Sequence, residues 1–226
     1  MVLKLNESTL ILFDLDGTLV DSHEAIYDSA ISVLSIYSQH LPSREEVFKS
    51  VGLPIKNLFM KYLNESLLEI AVPEFRKHLQ VYGADKTKLL SNAFLTLEKL
   101  KSEGISIALV SNKQTALARS VLEQQKIDEF FELVVGSDQG APKPAPDMIN
   151  LALSKFPKKA LSIMVGDRVE DMAAAKSAGI QGVFLENSWN PTSDLDTLIP
   201  FKPMIIKNLD GLFQAVLEIK GEANVR

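Results

Sequence analysis

Short apolar runs alternate along this chain with stretches of helical spacing. Leu10 to Phe13, Ile105 to Val110, Leu133 to Val135 and Leu161 to Val165 are apolar or nearly so, show no 3.6-residue period, and close on polar or glycine-bearing turns. Runs of that kind predict strands buried on both faces. Between them, Ala93 to Leu100, Ala116 to Gln124 and Met148 to Leu153 carry helical spacing, with Gly104 as a stop after the first. Gly182 to Phe184 and Met204 to Ile206 read as shorter strands and Leu209 to Ile219 as a last helix, with a proline-rich loop over 191–203. Strands alternating with helices predict an α/β fold around a parallel sheet.

The interval between the first two strands is too long for one crossover connection, which takes about thirty residues. Residues 22–88 instead read as helices: Glu24 to Tyr37, Arg44 to Ser50, Asn57 to Leu63 and Pro73 to Tyr82, punctuated by Pro42, by Gly52-Leu53-Pro54 and by Gly83. The expected division is an α/β core over 1–21 and 89–226 with a small all-helical insertion over 22–88. That insertion carries eight Lys plus Arg and eight Asp plus Glu, so the whole chain's net charge of -5 belongs to the core.

Composition narrows the function classes. A chain of 226 residues with 46% hydrophobic and 23% charged residues has ordinary globular usage. The absence of cysteine excludes a disulfide scaffold, a cysteine-type zinc site and a thiol nucleophile. A net negative charge gives no electrostatic footprint for nucleic acid or for an anionic membrane surface, so neither partner is expected. No apolar run approaches the roughly 18 residues of a membrane span, and Leu10 to Phe13 lacks the flanks of a signal peptide. A cytoplasmic protein, monomer or homodimer, is expected. The patterns of serine hydrolases, zinc proteases, dinucleotide-binding folds and P-loops do not occur.

In an open parallel sheet, ligands bind at the carboxyl ends of the strands. The polar ends of the apolar runs here are Asp14 and Asp16, Ser111, and Asp167 with Asp171. One cleft would thus collect four carboxylates and a hydroxyl. Like charges so close stay ionised only with a compensating proton or cation, and oxygen ligands suit Mg²⁺. Gly17 permits a tight turn that brings backbone amides toward an anion.

Asp14-Leu15-Asp16-Gly17-Thr18-Leu19 resembles the first motif of the haloacid dehalogenase superfamily. Ser111-Asn112-Lys113, Lys143-Pro144-Ala145-Pro146-Asp147 and Gly166-Asp167-Arg168-Val169-Glu170-Asp171 resemble its other three motifs, in the family's order. The resemblance implies a Rossmann-like core sheet with a helical cap inserted after the first strand, similar to phosphoglycolate phosphatase. It implies a small phosphorylated metabolite as substrate, Asp14 as nucleophile, Asp16 as acid and base, and Lys143 as a charge-neutralising partner. Ser111 and Asn112 would meet substrate. Mg²⁺ would be held by Asp14, by Asp16 through its backbone carbonyl, by Asp167 and, in support, by Asp171. Arg44 and Lys56 fall where the cap would select substrate. Asp16 argues against the dehalogenating branch, whose members lack that carboxylate. A sugar phosphomutase and a non-enzymatic phosphate sensor on the same fold remain alternatives. The segment Lys86 to Ser91 departs from the family's proline-glycine hinge.

Overall fold

A computed structural model describes residues 8–157, 159–187, 189 and 195–223. The chain opens with β1 (Thr9–Phe13), then β2 (Val20–Asp21) and four helices, α1 (His23–Tyr37), α2 (Arg44–Ser50), α3 (Ile55–Phe59) and α4 (Glu65–Tyr82). There follow β3 (Lys88–Leu89), α5 (Ala93–Ser102), β4 (Ser106–Val110), α6 (Thr115–Gln124), β5 (Leu133–Val135) and α7 (Asp147–Lys155). The remainder is β6 (Leu161–Gly166), α8 (Val169–Ser177), β7 (Gln181–Leu185), α9 (Leu195–Leu198), β8 (Met204–Ile206) and α10 (Leu212–Ala223). Of the proline-rich stretch, 191–194 lies outside the described residues and α9 forms one helical turn.

Six strands make a parallel sheet in the order β5-β4-β1-β6-β7-β8. Their side chains alternate between two apolar layers. Ile11, Phe13, Ile107, Leu109, Ile163 and Val165 pack on one face, and Leu10, Leu12, Ala108, Val110 and Met164 on the other. Both faces are dry, which is why these strands read as continuous apolar runs. The chain leaves β1 toward β4 and β5 and later returns to β6 on β1's other side, so the carboxyl end of β1 lies at the switch point.

Helices α1 to α4 gather around their own apolar cluster, including Leu34, Val47, Leu58, Phe59, Leu68 and Phe75, which Leu117 from α6 joins. The chain enters and leaves this region through a two-residue antiparallel ribbon, with Val20 opposite Leu89 and Asp21 opposite Lys88. Sequence spacing starts the fourth helix at Pro73, whereas α4 begins at Glu65, where the Asn64 side chain accepts from the Leu67 amide at 3.1 Å. Proline inside a helix forfeits the bond to the carbonyl four residues back. Here Pro73 and Glu69 both lie on the exposed face, so water reaches that carbonyl while Leu68, Ala71, Val72, Phe75 and Leu79 remain buried. Packing of that apolar stripe overrides the local penalty.

Candidate active site

Each strand that ends at the switch point delivers one polar group. Asp14 follows β1, Ser111 follows β4, and Asp167 follows β6, with Asp171 in the first turn of α8. The loop before α7 brings Lys143 up from below. All five are buried. The Lys143 ammonium donates to Asp14 Oδ1 at 2.7 Å and to the Val110 carbonyl at 2.9 Å, and pairs with Asp171 Oδ1 at 2.6 Å. Asp167 accepts from Thr18 Oγ1 at 3.1 Å and from Asn187 Nδ2 at 3.0 Å. Asp171 accepts from the Arg168 amide at 3.1 Å.

Close approach explains two glycines. Gly17 has φ +87°, and a Cβ there would lie 2.4 Å from an Asp167 oxygen. A Cβ on Gly166 would lie 2.3 Å from the Asp171 carboxyl carbon. The two turns are thus packed directly under the acidic side chains.

The electrostatics follow from burial. Carboxylate oxygens of Asp14, Asp167 and Asp171 lie within 4.8 Å of one another. Burial pushes the Asp14 carboxyl up to about 7, the negative charges of Asp171 and Asp167 add to that, and Lys143 opposes it. Burial alone would lower the Lys143 ammonium, but Asp14 and Asp171 beside it hold its pKa above the ordinary lysine value. Three carboxylates against one ammonium leave an excess of negative charge that a divalent cation matches. The oxygen-only donor set suits a hard ion such as Mg²⁺ rather than zinc or copper. The residues present therefore fit that metal.

A profile of the haloacid dehalogenase-like hydrolases matches residues 11–185, which runs from β1 to the end of β7 and includes the helical insertion. The chain belongs to this family of enzymes. A phosphoglycolate phosphatase of Aquifex aeolicus is 36% identical over 174 residues, covering 75% of this chain and 81% of that protein. Pyrophosphatase PpaX of Halalkalibacterium halodurans is 30% identical over 177 residues, 77% of this chain and 82% of the relative. Among solved structures, a haloacid dehalogenase-like hydrolase of Streptococcus pneumoniae superposes with TM-score 0.82 at 25% identity, covering 93% of this chain and 99% of that one.

Within this haloacid dehalogenase-like hydrolase, the residues singled out from sequence do not all meet. Asp14, Asp167, Asp171 and Lys143 form one buried cluster. The Asp16 carboxylate stands apart from it, held by Lys113 Nζ at 2.7 and 2.9 Å and by Ser22 Oγ at 2.5 Å. Ser111 accepts from the Lys113 amide at 3.2 Å. Asn112 acts as a brace: its side chain accepts from the Lys143 amide at 2.8 Å and donates to the Gly52 carbonyl at 3.0 Å.

Asp16, Asn112 and Lys113 line a cleft of about 650 Å³, its open mouth included, whose far wall is the turn after α2 and one face of α4. Lys56 lines that cleft. Arg44 does not: its guanidinium pairs with Glu24 and lies over the rings of Tyr27 and Phe48, 5.4 and 5.0 Å from their centroids.

Sequence reasoning passed over several residues that shape the site. Lys113 sat inside a quoted motif without a role. Arg168 donates to the Lys49 and Val51 carbonyls at 3.2 and 3.1 Å, tying the strand end at β6 to the turn after α2. Asn187, just beyond β7, reaches back to Asp167 and to the Gly17 carbonyl. His23 is buried, stacked on Trp189 with centroids 4.0 Å apart and bonded to Asp21 at 2.9 Å.

Proposed function

We propose that this hydrolase is a Mg²⁺-dependent phosphatase that acts on a small phosphorylated metabolite through an aspartyl-phosphate on Asp14. The supporting observation is the buried convergence of Asp14, Asp167, Asp171 and Lys143 beneath a cleft that Asp16 faces. An Asp14 oxygen attacks phosphorus while the bond from phosphorus to the departing oxygen breaks, which splits hydrolysis into two easier displacements. Asp16 gives its proton to the departing oxygen. It then takes one from the water that attacks the phosphoryl group and frees Asp14. Lys113 and Ser22 donate to the Asp16 carboxylate and orient it as the base; to act as the acid it must first take up a proton.

Lys143 keeps Asp14 aimed along one oxygen and neutralises part of the charge that builds up around it. Ser111, beside the end of β4, donates its hydroxyl to a phosphoryl oxygen. Asp14, the Asp16 backbone carbonyl and Asp167, supported by Asp171, would hold Mg²⁺, which would supply positive charge to offset repulsion between an anionic nucleophile and an anionic phosphate. Residues 22–88 serve as the cap, closing over the cleft and excluding bulk water.

The test is release of phosphate from p-nitrophenyl phosphate with Mg²⁺, abolished by EDTA and by Asp14→Asn. Equal turnover after chelation overturns the proposal. Supplying a hexose phosphate and finding an isomer instead of free phosphate points to a mutase.

A further inference from the structure

Arg76 projects from α4 into the wall of the same cleft that Asp16 and Lys113 line from the core side. It is partly buried, yet among the described residues its guanidinium forms no hydrogen bond and no salt bridge. Apolar surroundings pull its pKa below the ordinary arginine value, and Asp138 is the one carboxylate that acts back on it. Asp138 is itself engaged by the Thr115 amide at 2.7 Å and the Thr115 hydroxyl at 2.8 Å. A partly desolvated cation without a hydrogen-bonded partner favours an anion that can contact it directly.

The rest of the wall narrows what that anion belongs to. On the helical side, Leu53, Pro54, Ile55, Phe75 and Leu79 are apolar, and the charged groups are Arg76 and Lys56. The neutral hydroxyl of that wall is Ser50, which already donates to the Val47 carbonyl at 2.7 Å. A polyol needs a set of neutral donors and acceptors; the helical side presents no such set, and the neutral polar side chains of the cleft, Asn112, Gln114 and Ser137, lie on the core side. A second negative group finds a guanidinium fork, suited to paired contact with a carboxylate or phosphate, and an ammonium beside it.

Resting on the phosphatase reading, we infer that Arg76, assisted by Lys56, is a specificity-determining residue. It selects substrates with a second anionic group, carboxylate or phosphoryl, beyond the phosphate that is transferred. The phosphoryl end belongs to Asp14, Ser111 and Lys143, and the remote anion to α4.

Calorimetry with the Mg²⁺-loaded protein tests this without turnover. Phosphonoacetate and methylenediphosphonate carry the second anion as carboxylate and as phosphoryl, and methylphosphonate lacks it. At least one of the first two binds about tenfold or more tighter than methylphosphonate, the scale of a hydrogen-bonded charge pair. Which of them does so identifies the second group. Arg76→Met removes most of that preference, and Arg76→Lys restores part of it. A wild-type protein without preference, or a preference that survives Arg76→Met in a variant with the wild-type circular dichroism spectrum, overturns the inference. Parallel assays with phosphoglycolate, pyrophosphate and p-nitrophenyl phosphate separate the two readings. A binding preference without phosphate release from any of them sinks the phosphatase proposal and leaves the Arg76 assignment standing.

Discussion

Replacing Lys143 with methionine keeps most of the side chain's volume and removes one buried positive charge. In the native protein that charge meets Asp14 at 2.7 Å, Asp171 at 2.6 Å and a backbone carbonyl at 2.9 Å, at 3% exposure. Breaking a buried pair by deleting one partner costs about 3–5 kcal/mol, because the remaining charge stays uncompensated. The cost depends on pH. An Asp14 carboxyl already pushed up to about 7 in the folded chain, against 3.8 when unfolded, holds its proton longer when native. Metal-free stability therefore falls as pH rises from about 4 to about 7, by at most about 4 kcal/mol, and levels off above. Without Lys143 that carboxyl rises further, so the variant loses more at pH 8, where the contacts to both Asp14 and Asp171 matter, than at pH 5, where the loss is that of the Asp171 pair. Urea unfolding followed by circular dichroism in EDTA reads the difference. Mg²⁺ at about a hundred times its Kd adds about 2.7 kcal/mol. Its Kd is lower in the variant because a competing cation has gone, so at a fixed Mg²⁺ concentration the variant gains more than wild type. An equal loss at pH 5 and pH 8, or an equal response to Mg²⁺, refutes the idea that Lys143 works as a counter-charge to the carboxylates.

Two further substitutions probe neighbouring parts of the structure. Gly17→Ala places a methyl 2.4 Å from an Asp167 oxygen at a backbone φ of +87°, so it displaces that carboxylate. Stability drops by about 1–3 kcal/mol, and Mg²⁺ protection against thermal unfolding falls with it; full retention of that protection contradicts the packing described. Phe59 is fully buried in the helical insertion, edge-on to Phe75 with centroids 5.7 Å apart. Phe59→Ala costs about 3–5 kcal/mol in urea unfolding, and a loss below about 1 kcal/mol means that this cluster is not close-packed.

Local sequence alone sufficed for the sheet and for the identity of its terminal acids. Strands covered on both faces must be apolar throughout, so β1, β4 and β6 stand out, and a polar residue such as Asp14, Ser111 or Asp167 directly after such a run falls at the carboxyl end of the sheet. Two kinds of feature depended on tertiary structure. One is the length of α4, where a buried stripe on one face outweighed Pro73 on the other. The second is pairing between distant residues. Lys113 meets Asp16 across 97 positions, and Arg168 meets the turn after α2 across more than a hundred. In the linear chain Arg44 and Lys56 are equivalent cations on neighbouring helices; Glu24, Tyr27 and Phe48 draw the first away, and the second faces the cleft. Nothing in the linear chain sets Arg76 apart from another arginine on an amphipathic helix. Its lack of a partner arises only when α4 is folded over the strand ends, since side-chain periodicity reports which face is buried but not what that face is buried against.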